Sequence, residues 1–157
     1  MKQNIKLLLL CIAIPLIVGG ISAALTGNSM EVFANVSKPP LSPPSWLFPV
    51  VWTILYTLMG ISSYLISSSG AEKESIYSAI RLYVYQLMVN FLWPTFFFNF
   101  QWYGFSFLWL VLLWILVLLM ILRFREIDRV AAYMNLPYLI WLTFAGYLNF
   151  GIWILNR

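Results

Sequence analysis

The sequence predicts an all-α integral membrane protein, a bundle of five transmembrane helices with a proline-rich capping loop between helices 1 and 2. Three observations carry this. Of the 157 residues, 62% are hydrophobic and only 9% charged, whereas soluble domains carry about one charged residue in four. The apolar residues gather in uncharged stretches, each near the roughly 20 residues that cross about 30 Å of hydrocarbon as a helix. The cations sit in the connections between those stretches. One five-helix transmembrane domain over residues 1–157 takes up the whole length.

The predicted helices cover residues 7–25, 46–66, 82–100, 105–122 and 136–155. None alternates polar and apolar residues as a membrane strand does. The first has a competing reading as a signal peptide, because Lys2 and Lys6 precede it and Ser22, Ala23 and Ala24 close it. Its apolar run is longer than a typical signal core. Gly19-x3-Ala23 and Gly20-x3-Ala24 also supply the small-residue spacing of closely packed helices, so a retained helix is expected. That small face serves either a dimer or the interior of the monomer.

Lys2, Lys6, Lys73, Arg81, Arg123, Arg125 and Arg129 fall on one side of the spans, and Lys38 and Arg157 on the other. This split predicts a cytoplasmic N-terminus and, in a plasma membrane, an external connection from Thr26 to Ser45. Within that connection the run KPPLSPP, Lys38 to Pro44, is biased to extended backbone by its prolines and is expected to form a semi-rigid cap. Ser67 to Ser75, with Gly70, reads as a solvated turn.

Several chemistries are excluded. The net charge of +4 is spread over loops rather than a patch, so no nucleic acid partner is expected. The chain has no His and no Cys or carboxylate cluster with ligand spacing, so no metal site, hydrolytic triad or His-ligated haem is expected. Cys11 is the lone cysteine and forms no intrachain disulfide. No ionisable Asp, Glu, Lys or Arg lies within the five stretches, which disfavours ion-coupled transport. No cofactor is required.

The spans instead hold amides and aromatic rings. At 100° per residue, Gln86, Asn90, Trp93 and Phe97 share a stripe about 60° wide on the third helix. Pro49, Trp52, Tyr56 and Ser63 align on the second, and Tyr138, Trp141, Ala145 and Asn149 on the fifth. One reading makes the aromatics interfacial belts and the amides interhelical glue. Belts suit Trp46, Trp102, Tyr103 and Trp153 near helix ends. Trp52, Trp93 and Trp141 sit deeper beside amides and point to a mostly apolar cavity for a flat, lipophilic, aromatic ligand. Pro94 either kinks the third helix and opens room beside Trp93 or is a tolerated membrane proline.

Three segments, KPPLSPPSWLFPVVWTILY from Lys38 to Tyr56, QLMVNFLWPTFFF from Gln86 to Phe98 and PYLIWLTFAGYLN from Pro137 to Asn149, give the chain a marked likeness. It resembles the translocator protein family, also called tryptophan-rich sensory proteins or peripheral-type benzodiazepine receptors, and looks like a bacterial member. The resemblance implies a five-helix bundle, a homodimer, and a cavity capped by the first loop that binds porphyrins, sterols and benzodiazepine-like drugs. By that likeness Trp52, Tyr56, Asn90, Trp93, Trp141, Phe144 and Ala145 line the pocket, with Pro44 near its cap. It also implies that Trp52 and Trp141 serve a light- and oxygen-dependent breakdown of protoporphyrin, with the pigment supplying the photochemistry. The family's sterol motif wants a basic residue within five positions of a Tyr near the end of the last helix. Here Tyr147 is followed only by Arg157, so porphyrin is the expected ligand or substrate.

The expected ligand-binding set is therefore Pro44, Trp52, Tyr56, Gln86, Asn90, Trp93, Tyr138, Trp141, Phe144, Ala145 and Asn149, with Trp52 and Trp141 catalytic if the degradative reading holds. The leading function is a membrane receptor or sensor for tetrapyrroles, placed in a bacterial plasma membrane. The alternatives are a porphyrin-degrading photo-oxidative enzyme, a transporter of porphyrin or sterol, and a scaffold whose aromatics only pack. No inverted repeat or pair of broken helices favours the transporter.

Overall fold

In hydrocarbon no water is available to backbone N–H and C=O groups, so long apolar stretches close those bonds within helices. The computed structural model describes residues 4–157. It contains α1 (Ile5–Leu25), α2 (Ser29–Asn35), α3 (Leu47–Ser67), α4 (Lys73–Pro94), a π-helical turn (Thr95–Asn99), α5 (Tyr103–Ile127), α6 (Arg129–Tyr133) and α7 (Leu136–Leu155). No strand occurs among the described residues. The cation Lys2 used for orientation lies outside them.

Four segments are long and apolar enough to cross a membrane: α1, α3, α5, and α6 with α7. The stretch expected as a uniform helix over residues 82–100 differs. Its helix begins at Lys73, because Lys73, Glu74 and Ser75 are compatible with helix though not with hydrocarbon. It ends as an α-helix at Pro94 and continues as the π turn. Likewise α5 runs on past Leu122 to Ile127, through an Arg123–Glu126 ion pair one turn apart. Asp128 stops it and caps α6 by accepting the Ala131 N–H at 2.8 Å.

The connection from Thr26 to Ser45 is only partly extended. Its first part folds as α2, which buries Phe33. The Lys38 ammonium closes that helix by donating to the carbonyls of Phe33, Ala34 and Val36 at 2.8, 3.0 and 3.3 Å, where a cation is favoured. The proline run that follows is fastened to α7. The Asn156 amide both donates to Ser37 O at 2.8 Å and accepts from Ser37 N–H at 3.0 Å, and the Tyr147 hydroxyl donates to Pro40 O at 2.8 Å. Pro39 lies so close to Gly151 that a Cβ there would fall 2.5 Å from the ring. Leu41 takes a φ of 65° to turn the chain between the two proline pairs.

The bundle is solid in one half. Met59 and Ile66 of α3, Ala79 of α4, Val117, Met120 and Phe124 of α5, and Ala131 of α6 are fully buried in one cluster at the end that carries Arg123 and Arg129. α1 reaches α3 there by backbone contact. A Cβ on Gly60 would lie 2.5 Å from Ile12 Cα and 2.7 Å from Cys11 O. Of the two overlapping small-residue patterns on α1, the one at Gly19 faces inward beneath the Tyr56 ring, whereas a Cβ on Gly20 meets nothing within 4 Å.

Gly60→Ala is therefore expected to destabilise the fold by about 1–3 kcal/mol through overpacking. Gly20→Ala should be neutral or stabilising, since Ala is the better helix former by about 1 kcal/mol. Thermal unfolding of both variants in the same detergent checks this, and equal behaviour would contradict the α1–α3 contact.

Candidate functional site

The opposite half of the bundle is hollow. A cavity of about 200 Å³ lies between α1, α2, α3, α4, the π turn, α5 and α7. Of the residues expected at a site, Trp52 and Tyr56 from α3, Asn90 and Trp93 from α4, and Trp141, Ala145 and Asn149 from α7 stand on its wall. Phe97, Phe98, Leu110, Leu148 and Ile152 make most of the remaining surface apolar. The stripes on three helices thus meet at one space.

Four expected residues stand elsewhere. Gln86 and Tyr138 are buried behind the wall rather than on it, because both are consumed by a hydrogen-bonded chain. The Tyr56 hydroxyl donates to Asn90 Oδ1 at 2.8 Å, Asn90 Nδ2 donates to the Tyr138 hydroxyl at 2.7 Å, and that hydroxyl donates to Gln86 Oε1 at 3.0 Å. The chain joins α3, α4 and α7 and forms the cavity floor. Phe144 packs on Trp141 with centroids 5.7 Å apart but is off the wall. Pro44 is exposed in the loop, with its carbonyl accepting the Leu47 N–H. Ser63, aligned with Trp52 by spacing, is about two turns beyond Tyr56, off the wall, and donates to Gly60 O.

A second hub sits at Asn149. Its Oδ1 accepts from Trp93 Nε1 at 3.2 Å, its Nδ2 donates to Tyr103 O at 2.8 Å, and the Ser106 hydroxyl lies 3.2 Å from the same Oδ1. Trp93 also donates to Ser106 O at 3.1 Å. These bonds fix the Trp93 indole against α5 and α7. Trp109 and Trp114 are satisfied too, through Val89 O and Thr143 Oγ1. Trp52 and Trp141 differ. Neither indole N–H has an acceptor among the described residues, although both stand on the cavity wall. Trp52 is held by ring contacts with Tyr56 and Tyr138, at 5.4 and 6.0 Å, and Trp141 by Phe48 at 5.8 Å. The wall therefore offers the Trp52 and Trp141 indole donors, beside the Ser29 and Ser45 hydroxyls that also line it, while its amide oxygens are already engaged.

Pro94 is more than a tolerated proline. It is on the wall, and the helix changes type directly after it: Phe100 N–H bonds Thr95 O, five residues back. Through the π turn Phe97 and Phe98 both reach the cavity, and Trp93 stacks on Phe97 at 5.0 Å. The contributions of α1 and α2 were not legible as site residues. Gly19, Ser22, Thr26, Met30 and Phe33 all line the cavity. Ser22 donates to Phe91 O at 2.9 Å, in the helical turn that Pro94 disturbs. The one available signal was Gly19-x3-Ala23, which fixes a packing face without saying what it encloses.

A mostly helical chain without strands among the described residues, with membrane-length apolar segments and an aromatic cavity inside the bundle, has the makeup of an α-helical integral membrane protein. Its family is equally plain: residues 11–154 match the TspO/MBR family, and the chain belongs to it. It is 37% identical to the tryptophan-rich protein TspO of Chlorobaculum tepidum over 157 residues, covering 99% of each chain. It is 37% identical to protein CrtK of Rhodobacter capsulatus, over 87% of this chain and 89% of the relative. With the translocator protein of Ovis aries it shares 35% identity, over 83% of this chain and 78% of the other.

Tyr138→Phe should cost more stability than Tyr56→Phe. The first strands both Asn90 Nδ2 and Gln86 Oε1, the second only Asn90 Oδ1, and each stranded buried group costs about 1 kcal/mol or more. Unfolding of both variants in one detergent gives the comparison, and equal losses would deny Tyr138 its bridging place.

Proposed function

We propose that this protein is a multi-pass membrane receptor that binds a flat, lipophilic, aromatic ligand in the cavity, with a tetrapyrrole such as protoporphyrin as the natural occupant. The observation that carries the reading is the pair of indole donors, Trp52 and Trp141, without a protein acceptor on a mostly apolar wall. An occupant with acceptor atoms and a broad π-face satisfies both needs at once. The family's tryptophan-rich members support the same choice. At about 200 Å³ the cavity is below the roughly 300–1,000 Å³ of sites for drug-sized ligands. A tetrapyrrole therefore enters only if part of the wall moves. The cheapest part is α2 with the proline loop, which α7 holds by a few exposed hydrogen bonds and the Pro39–Gly151 contact. In this reading the loop is the cap, and Pro44 acts from it.

The receptor spans the bilayer five times. α4 and its π turn form the fifth crossing: 27 residues, from Lys73 to Asn99, link the end of α3 to the start of α5, and at about 1.5 Å per residue they are long enough. Their lower apolarity comes partly from Gln86 and Asn90, which turn inward. Lys6, Lys73, Arg81, Arg123, Arg125 and Arg129 then share one end and Lys38 and Arg157 the other, which supports an N-terminus on the cytoplasmic side of a bacterial plasma membrane. The exposed Gly20 face of α1 supplies a seam for a homodimer.

Titration of protoporphyrin in the dark, followed by tryptophan quenching, tests the binding. Saturable quenching is expected, with Trp52→Phe and Trp141→Phe each weakening it about two- to tenfold, the worth of one hydrogen bond. Quenching that never saturates and ignores both substitutions means partition into detergent and sinks the reading. Repeating the titration under illumination separates the receptor from a photo-oxidative enzyme. Degradation faster than in empty detergent, and slowed by the same two substitutions, is the enzyme's signature.

A further inference from the structure

At the solid end of the bundle, on the surface away from the cavity, the last turn of α5 and the start of α6 enclose an open cleft. It is walled by Leu122, Arg125, Glu126 and Arg129. The carboxylate in this cleft is already engaged, because Glu126 pairs with Arg123. The nearby Asp128 carboxylate is occupied in capping α6. Arg125 and Arg129 have no acidic partner among the described residues, and both are exposed. Two guanidinium groups therefore border one cleft without counter-charge.

Directly below, α5 presents an aliphatic row of exposed side chains at helical spacing: Leu112, Ile115, Leu119 and Leu122 are 42%, 45%, 45% and 49% exposed. The row ends at Leu122, one turn before Arg125. A cationic cleft at the end of a lipid-facing apolar row has the shape of one amphiphile, with chain along the row and head in the cleft. Guanidinium groups favour a phosphodiester by paired, charge-assisted hydrogen bonds. An anionic headgroup is favoured over a zwitterionic one by about 1 kcal/mol for each basic residue near the surface. We propose that this cleft is a binding site for a single anionic phospholipid of the leaflet that the basic end of the bundle faces.

The test uses the full chain in bilayer discs of phosphatidylcholine with a minor fraction of phosphatidylglycerol, reading retained lipids by native mass spectrometry. Phosphatidylglycerol should be enriched over phosphatidylcholine, and each of Arg125→Gln and Arg129→Gln should lower that enrichment about fivefold. The double replacement by Lys keeps the charge but not the paired hydrogen bonds, so its enrichment should fall between those of the unaltered chain and the double Gln variant, which separates lost charge from lost fold. Lys38→Gln with Arg157→Gln, at the other end, should leave it unchanged. Enrichment that is absent, or that survives loss of both arginines, overturns the site. Displacement of the lipid by millimolar inorganic phosphate overturns it as well, because the proposal requires the aliphatic row as well as the charge.

Discussion

A missing N–H at Pro94 shapes the hollow half of this protein. Without that donor the α-helical ladder of α4 does not continue regularly, and the chain goes on as a π turn with bonds five residues long. Two consequences follow in space. Phe97 and Phe98 come round to the cavity together, and the Phe91 carbonyl in the disturbed turn takes its extra donor from Ser22 of α1. The second bond, with Asn99 donating to Leu25 O, ties the far half of α1 to α4 and the π turn. α1 is thus pressed onto α3 at Gly60 and drawn to α4 near Ser22, and the cavity opens beside its last turns, at Gly19, Ser22 and Ala23.

The two halves of the bundle are held by different means. Where Gly60, Ala79, Ala131 and Ala132 sit, small residues bring helices together and Met59, Val117, Met120 and Phe124 fill the space completely. In the hollow half, packing is replaced by polar ties. One chain runs from Tyr56 through Asn90 and Tyr138 to Gln86, and the other centres on Asn149. A membrane offers little hydrophobic driving force between helices, so a hollow region depends on such bonds to keep its walls apart yet in register. They also leave the amides engaged and the Trp52 and Trp141 donors free.

Much of this was legible in the sequence because helix periodicity is a local property. The alignment of Gln86, Asn90, Trp93 and Phe97 follows from residue spacing alone, and three such stripes led to one cavity. What spacing does not carry is the distance of a residue from the space it faces. Gln86 and Tyr138 point inward with their stripe-mates but bond to each other behind the wall. Phe144 and Pro44, taken from a family likeness rather than from spacing, are off the wall. Helix boundaries at Lys73 and Ile127 were missed because polar residues continue a helix that hydrocarbon length would end. The short α2 escaped notice because seven residues carry too little period to read.

The clasp between Asn156 and Ser37 joins residues 119 positions apart, and Tyr147 reaches Pro40 across 107. α7 also carries Trp141, Ala145 and Asn149 of the wall. In a chain made from its N-terminus and inserted helix by helix, the strap and most of the wall emerge long before the helix that fastens them. The cavity is therefore complete only once α7 has docked. Until then the aromatic faces of α3 and α4 are uncovered, so the cavity is the final product of biogenesis and a direct readout of its completion.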